Sequence, residues 1–320
     1  MENQQRFAQR PVKSANGNVR NMPQAIGHRG FSQVYAENTV SAMTAAIENG
    51  ADGVETDVHL SSDGAVVISH DPTAKRVFGS DATLIKDRAY AGDLENLRTT
   101  KPPYEKMPLL IDLLQLFVSN SIFEDKWLVI DVKADNDVDI IAGVASALQQ
   151  VKNDMKFWKS RVVLGIWLVK YLPLCEQHLP DIHIMHIGVD ISYARKFLTA
   201  KNVVGFSIVI VSIYSNEGYK FIQEVRAAQK AVFVWTVNTD EAMRLCIALQ
   251  IDAVLTDNPV RFTEVRQDSV DGKKSEQHYS VINDPEAAAA KTLSLWTRTK
   301  MCALGQVVKF MAPLYRQRYE

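Results

Sequence analysis

The chain has 320 residues, is 47% hydrophobic and carries 36 basic against 37 acidic side chains, for a formal charge of -1. This length and apolar content suit one large domain, and the near-neutral balance excludes bulk electrostatic attraction to nucleic acid, so any anion recognition has to be local. The three cysteines, Cys175, Cys246 and Cys302, fit no paired spacing, which argues against a disulfide framework or a thiolate zinc site. Residues 1–22 are polar and carry Arg6, Arg10, Lys13 and Arg20 against Glu2 alone; they read as a disordered extension, with a mitochondrial transit peptide as the alternative.

From Gln24 onward, short β-rich apolar runs alternate with longer amphipathic stretches, the pattern of repeated βα units around a parallel sheet. Eight such runs occur: Gln24–His28, Gly53–Val58, Trp127–Val132, Val162–Trp167, Ile182–Ile187, Val204–Ile208, Ala231–Val237 and Ala253–Thr256. Several are nearly all apolar, as strands buried on both faces should be. Eight parallel strands predict a closed (β/α)8 TIM barrel over residues 23–266. Ser41–Asn49, with Ala42, Ala45 and Ala46 on one face and Gly50 after it, predicts the helix returning to the second strand. The segment from Asp71 to Met107 is long for a βα connection and contains Pro72, Gly79, Pro102 and Pro103, so a small insertion is expected after the second strand.

Charged residues cluster at the ends of the early strands. The first run closes on Gly27-His28-Arg29-Gly30, which places an imidazole and a guanidinium at a C-terminal strand end, where barrel enzymes assemble their sites. The second contains Glu55-Thr56-Asp57, and alternation along a strand sends Glu55 and Asp57 to one face, close enough to share a cation. Asp131 and Lys133 share a face at the end of the third run, and His70 follows the short run Val66–Ile68. Three inward carboxylates are disfavoured as core packing, and a bound metal resolves the conflict. Alone, either histidine would be an ordinary structural one. Together with Arg29, Lys133 and the acids they supply a proton acceptor, a proton donor, cations for phosphoryl oxygens and a Lewis-acid site. Oxygen-only ligands point to a hard divalent cation, with Mg2+ preferred and Ca2+ possible.

Several segments then carry a resemblance. Gly27-His28-Arg29-Gly30, Glu37-Asn38-Thr39, the run Gly50–Val58, Ser61-Ser62-Asp63-Gly64 and His70-Asp71 resemble the glycerophosphodiester phosphodiesterase family. Met107-Pro108-Leu109, Asp131-Val132-Lys133, Trp235-Thr236-Val237-Asn238 and Thr256-Asp257-Asn258-Pro259 follow in the family's order, so the resemblance spans about residues 24–266. Val151–Trp158 and Leu164–Trp167 further resemble the fungal phosphatidylglycerol-specific phospholipase C branch. The resemblance implies His28 and His70 as the acid/base pair, Glu55, Asp57 and Asp131 as metal ligands, and Arg29 and Lys133 as phosphate contacts. It also implies that Glu37 orients the site and Trp235 lines it; Trp235 could equally be a packed core aromatic, and Trp127 and Trp167 are expected in the core. Most of the family has Glu at the place of Asp131, so this ligand is one methylene shorter and could bind through water.

The same resemblance implies attack by a glycerol hydroxyl of the substrate on its own phosphorus, which favours phosphatidylglycerol over choline and ethanolamine lipids. Water-soluble glycerophosphodiesters, or lipid binding by an inactive barrel, are the alternatives. Residues 267–290 read as a linker and residues 291–320 as an amphipathic tail. There Leu304, Val307, Val308, Met311 and Leu314 recur at helical spacing beside Trp296 and the cations Arg298, Lys300, Lys309, Arg316 and Arg318. An anionic membrane surface is the expected partner of that tail, giving an intracellular protein held peripherally on a mitochondrial or lipid-droplet membrane.

Overall fold

Each of the eight apolar runs folds as a strand in the computed structural model, which describes residues 7–272. In chain order, β1 (Arg10–Lys13) and β2 (Val19–Met22) precede β3 (Gln24–His28), α1 (Val40–Glu48), β4 (Gly53–Leu60) and β5 (Val66–Ile68). Then come α2 (Lys75–Phe78), α3 (Leu110–Ser119), β6 (Trp127–Val132), α4 (Ile140–Val151), α5 (Met155–Lys159), β7 (Val162–Ile166) and α6 (Leu172–His178). The chain continues through β8 (His183–Gly188), α7 (Ile191–Ala194), β9 (Val203–Val209), α8 (Asn216–Ala227), β10 (Ala231–Trp235), α9 (Asp240–Ala248), β11 (Ala253–Thr256) and α10 (Pro259–Asp271). Strand order β3-β11-β10-β9-β8-β7-β6-β4, with β3 pairing back to β4, closes the eight strands into a barrel. No helix among the described residues is long and apolar enough to cross a membrane.

The described chain forms two compact units, residues 27–184 and the segments on either side of them. In the first, β4 and β6 run parallel in a register that pairs Asp57 with Asp131, and β6 pairs in parallel with β7. Trp127–Val132 is buried throughout, which explains a run with no polar alternation. β5 adds antiparallel to the end of β4. The expected insertion is present, and its short helical turns gather Ala74, Phe78, Ile85, Tyr90, Leu94 and Met107 on Val67 as a satellite core. Asp63 ties it down: one carboxylate oxygen accepts from Ser61 Oγ (2.6 Å) and Tyr90 N (2.8 Å), the other from Ala91 N (3.1 Å).

In the second unit the N-terminal segment departs from expectation. Residues 10–22 are a β1–β2 hairpin, turned through Asn16-Gly17 with Gly17 at φ +85°, rather than a disordered extension. Ala15 N donates to Asp271 Oδ1 (2.7 Å), Gln267 Nε2 to Lys13 O (3.1 Å) and Arg20 Nη1 to Ser269 O (3.2 Å), so the hairpin lies along α10. Phe7 and Met22 are buried beside it. α10 runs on to Asp271, into what the sequence suggested was linker. Residues 273–290 and the tail 291–320 lie outside the described residues. Cys175 and Cys246 are free, buried thiols that burial pushes upward in pKa, the first to about 12, and Cys302 is also outside the described range.

One hydrogen-bond pattern occurs twice. Asn38 Oδ1 accepts from Thr56 Oγ1 (2.9 Å) and Asp57 N (3.3 Å) while its Nδ2 donates to Asp57 Oδ2 (2.7 Å). Asn238 Oδ1 accepts from Thr256 Oγ1 (3.1 Å) and Asp257 N (2.9 Å), and its Nδ2 donates to Asp257 Oδ2 (2.6 Å). The residue after each asparagine caps a helix, Thr39 accepting from Ala42 N (3.2 Å) and Thr239 from Ala242 N (3.3 Å).

Candidate active site

Register and pleat together build the acidic floor of the first unit. Asp57 and Asp131 are opposite each other on parallel strands, so their side chains leave the same face, and Glu55 leaves that face two residues earlier. All three carboxylates are buried, and one oxygen from each lies within 4.8 Å of the others. Lys133, two residues past Asp131, inserts its ammonium between Asp57 Oδ1 (2.5 Å) and Asp131 Oδ2 (2.6 Å). Arg29 adds Nε at 3.3 Å from Asp57 Oδ2, and its backbone N–H donates to Glu55 Oε2 at 2.8 Å.

The backbone that presents Arg29 needs particular residues. Arg29 and Asn38 both have φ +58°, and Gly30 has φ +80°. A Cβ at Gly30 would stand 2.5 Å from the Ala42 carbonyl carbon, so only glycine admits this close pass over α1. Asn38 N donates to Arg29 O (3.0 Å), closing the loop over the amide that clamps Asp57.

Burial sets the titration of the floor. It raises Glu55 well above the usual carboxylate range, and the neighbouring Asp57 and Asp131 charges raise it further. Burial also opposes ionisation of Asp57, but Lys133 and Arg29 outweigh it and hold Asp57 well below the ordinary value. Asp131 is raised, with burial and Asp57 outweighing Lys133 and Trp167. Three carboxylates against Arg29 and Lys133 leave one negative charge uncompensated when all are ionised. A divalent cation fits this all-oxygen set: it would turn that excess into one net positive charge, suited to a phosphodiester monoanion.

The two histidines come at the end of β3 and just after β5, two strands that each pair with β4. His28 ends β3, buried, with its carbonyl accepting from Ser32 Oγ (2.9 Å). His70, two residues past β5, holds its Nδ1 2.8 Å from Asp71 Oδ1. An ionised carboxylate only accepts, so Nδ1 carries the proton and Nε2 is the bare nitrogen. Burial lowers the His70 pKa and Lys133 and Arg29 lower it further, against the pull of Asp57 and Asp71. Glu37 Oε1 accepts from Arg29 Nη1 (2.9 Å).

Trp235 belongs to the other unit, at the end of β10, where its indole N–H donates to Ser207 O (3.0 Å). Trp127 is fully buried as expected. Trp167 is not a core residue: its indole N–H donates to Asp131 Oδ1 (2.8 Å), and Lys133 Nζ stands 5.7 Å from its ring centroid. Asn38 and Arg76 are further members that residue type alone did not single out. The signal for Asn38 was present in its place within Glu37-Asn38-Thr39; Arg76 had none.

Comparison with known proteins gives one reading. The model of the glycerophosphoryl diester phosphodiesterase family matches residues 28–261. A glycerophosphodiester phosphodiesterase of Bacillus altitudinis is 25% identical over 77% of this chain and 99% of its own length. A lysophospholipase D of Rattus norvegicus is 24% identical over 75% of this chain and 84% of its own. The structure of an Oleispira antarctica phosphodiesterase with its product sn-glycerol-3-phosphate superposes with a TM-score of 0.64 at 23% identity, covering 76% of this chain and 96% of that one.

Proposed function

Since the chain belongs to the glycerophosphoryl diester phosphodiesterase family and is thus a phosphoric diester hydrolase, we propose that it cleaves phosphatidylglycerol to diacylglycerol and a glycerol phosphate. The observation that carries this reading is the cluster of Glu55, Asp57 and Asp131 with Arg29 and Lys133 set against it, with His70 close enough to feel Asp57 and Lys133 and His28 next to Arg29 in the chain. Glu55, Asp57 and Asp131 would hold the divalent cation, for which Mg2+ is the choice. When bound, that cation lowers the charge on the phosphoryl oxygens.

The residues divide the proton work. His70, neutral at Nε2 and fixed at Nδ1 by Asp71, accepts the proton of the head-group hydroxyl adjacent to the phosphoester. That oxygen bonds to phosphorus, the bond to the diacylglycerol oxygen breaks, and His28 gives the leaving oxygen its proton. Water then opens the cyclic glycerol phosphate with the two histidines exchanging roles. Arg29 and Lys133 stabilise the equatorial oxygens in both steps, and such preorganised charge is usually the largest single contribution. Choline and ethanolamine heads lack the nucleophile, and an effective molarity of about 10^5 M or more goes with it.

The bacterial relative named as a glycerophosphodiester phosphodiesterase and the product in the Oleispira structure favour a second reading, a water-soluble glycerophosphodiester as substrate. Residues 291–320 are the proposed anchor to an anionic intracellular membrane. Mass spectrometry of products from phosphatidylglycerol, its head-group-deoxy analogue, phosphatidylcholine and glycerophosphoglycerol separates the readings. Cleavage of the first and last alone supports hydroxyl attack. Equal cleavage of the three lipids would exclude it, and turnover of glycerophosphoglycerol alone selects the soluble substrate.

A further inference from the structure

We propose that Arg76 is a positioning residue of this site, one guanidinium that sets both Arg29 and His70 without touching either. The inference rests on the functional reading above and extends it to a residue in the insertion. Arg76 lies on the four-residue helix α2, half exposed, outside every motif that marks the site. Its Nε donates to Asp71 Oδ2 (2.6 Å), Nη1 to Glu37 Oε2 (2.5 Å) and Nη2 to Glu37 Oε1 (2.8 Å).

Each acid divides its oxygens in a telling way. Glu37 shares Oε1 between Arg76 and Arg29, and Asp71 gives Oδ2 to Arg76 and Oδ1 to His70 Nδ1. The result is a chain of alternating charge, Asp57, Arg29, Glu37, Arg76, Asp71, His70, that ends on the proposed metal floor at one side and on the proposed base at the other. Both carboxylates are held below the ordinary value: burial opposes ionisation in each, and Arg76 together with Arg29 at Glu37 and with His70 at Asp71 outweighs it.

Stability does not account for this arrangement, because half-exposed ion pairs stabilise little. Geometry does. A planar fork with three donors used in fixed directions orients two carboxylates at once, and an ammonium, a point charge, cannot reproduce it. With Arg76 removed, Glu37 and Asp71 keep their inner partners but lose the contact that fixes their side-chain angles. Arg29 then loosens on the substrate phosphate and the His70 ring loses its enforced tautomer.

The test uses the full chain with R76Q, R76K and R76A, assayed on phosphatidylglycerol and on glycerophosphoglycerol. Loss of an outer partner of this kind typically reduces activity about 10- to 100-fold. We expect kcat/KM of R76Q to fall within that range, with KM raised through Arg29 and kcat lowered through His70. R76K should recover little, and added guanidinium ion should restore part of the activity of R76A and none of R76K. A 15N NMR spectrum of His70 gives a readout independent of turnover: the Nδ1-protonated tautomer in the wild type, a mixture in R76Q. Unchanged kcat/KM in a folded R76Q, or a tautomer unaffected by the substitution, would overturn the proposal. If the wild type turned over neither diester, the substrate reading would fail, while the NMR comparison would still decide the role of Arg76.

Discussion

Lys133 is the residue on which the charge balance of the site turns. Its ammonium touches two of the three floor carboxylates, and both hold its pKa above the ordinary lysine value despite burial. Breaking a buried ion pair by removing one partner typically destabilises by about 3–5 kcal/mol. Lys133→Met should therefore lower the melting temperature in chelator, and added Mg2+ should restore more stability to it than to the wild type, because three facing carboxylates then have only Arg29 and the cation between them. Calorimetric melts with and without Mg2+ would show this, and equal Mg2+ effects on both proteins would argue against a cation at this floor.

His70 yields a pH prediction. Its proposed role needs the neutral ring, and burial together with Lys133 and Arg29 lowers its pKa, so the acidic limb of kcat/KM should fall below the ordinary histidine value of about 6.5. Asp71 and Asp57 pull the other way, so Asp71→Asn should move that limb to still lower pH as it reduces the rate. A limb above pH 7 in the wild type would count against His70 as the base. Most of these residues could be read from the sequence, because a histidine, an arginine or an acid at a strand's end stands out from its apolar run. Trp167 could not: an indole one residue past a strand suits packing and hydrogen bonding equally, and only the position of Asp131 decides.

Among the elements, the insertion depends most on a few polar contacts. Asp63 sits in the turn between β4 and β5, and hydrogen bonds from Ser61 and the Tyr90 and Ala91 backbone outweigh burial and hold its carboxyl at about 2. Its folded pKa lies below the ordinary value of about 3.9, so its stabilising contribution is present above that value and is lost as pH falls toward 2. Asp63→Ala should raise hydrogen exchange of residues 85–95 while that of Trp127–Val132 stays protected. Uniform exchange across both segments would mean that the insertion is not separately anchored. Asn38 holds α1 to β4 in the same fashion but is buried, and leaving its partners unsatisfied typically costs about 1–3 kcal/mol. Asn38→Ala should lower the melting temperature by a few degrees and weaken Mg2+ binding, since Asp57 loses its amide support.

Strand positions were legible because both faces of a barrel strand are buried, which leaves continuous apolar runs such as Trp127–Ile130 unlike anything in the loops. The turns of the insertion were not, since helices as short as α2 have no periodicity and take their shape from contacts such as those of Asp63.

At the scale of the molecule, the N-terminal hairpin shows how composition misleads. Residues 10–22 are polar enough to suggest disorder, yet they are ordered by backbone pairing and by contacts from α10 that no local pattern encodes. Removing residues 1–22 should lower thermal stability by uncovering the partners of Phe7 and Met22. Because the floor and both histidines lie in residues 27–184, kcat/KM on glycerophosphoglycerol should be unchanged. A large fall in kcat/KM at a temperature where the truncated protein is folded would give the hairpin a part in the chemistry.

The repeated asparagine clamp has a historical reading. Asn38, Thr39, Ala42, Met43, Ile47, Asp52, Val54, Thr56 and Asp57 all recur 200 positions later as Asn238, Thr239, Ala242, Met243, Ile247, Asp252, Val254, Thr256 and Asp257. Identical spacing and the same hydrogen bonds are what duplication of one ancestral strand-helix-strand cassette would leave behind. Leu255 occupies the place of Glu55, so the two descendants share the mechanical joint and differ in the ligand, as if the joint came first and the chemistry was recruited onto one copy. A shared cassette predicts that the two helices are interchangeable where they carry no ligand: a chimera with Val40–Glu48 in place of Asp240–Ala248 should fold with a single cooperative melt, and loss of cooperativity would mean that the two joints are not equivalent.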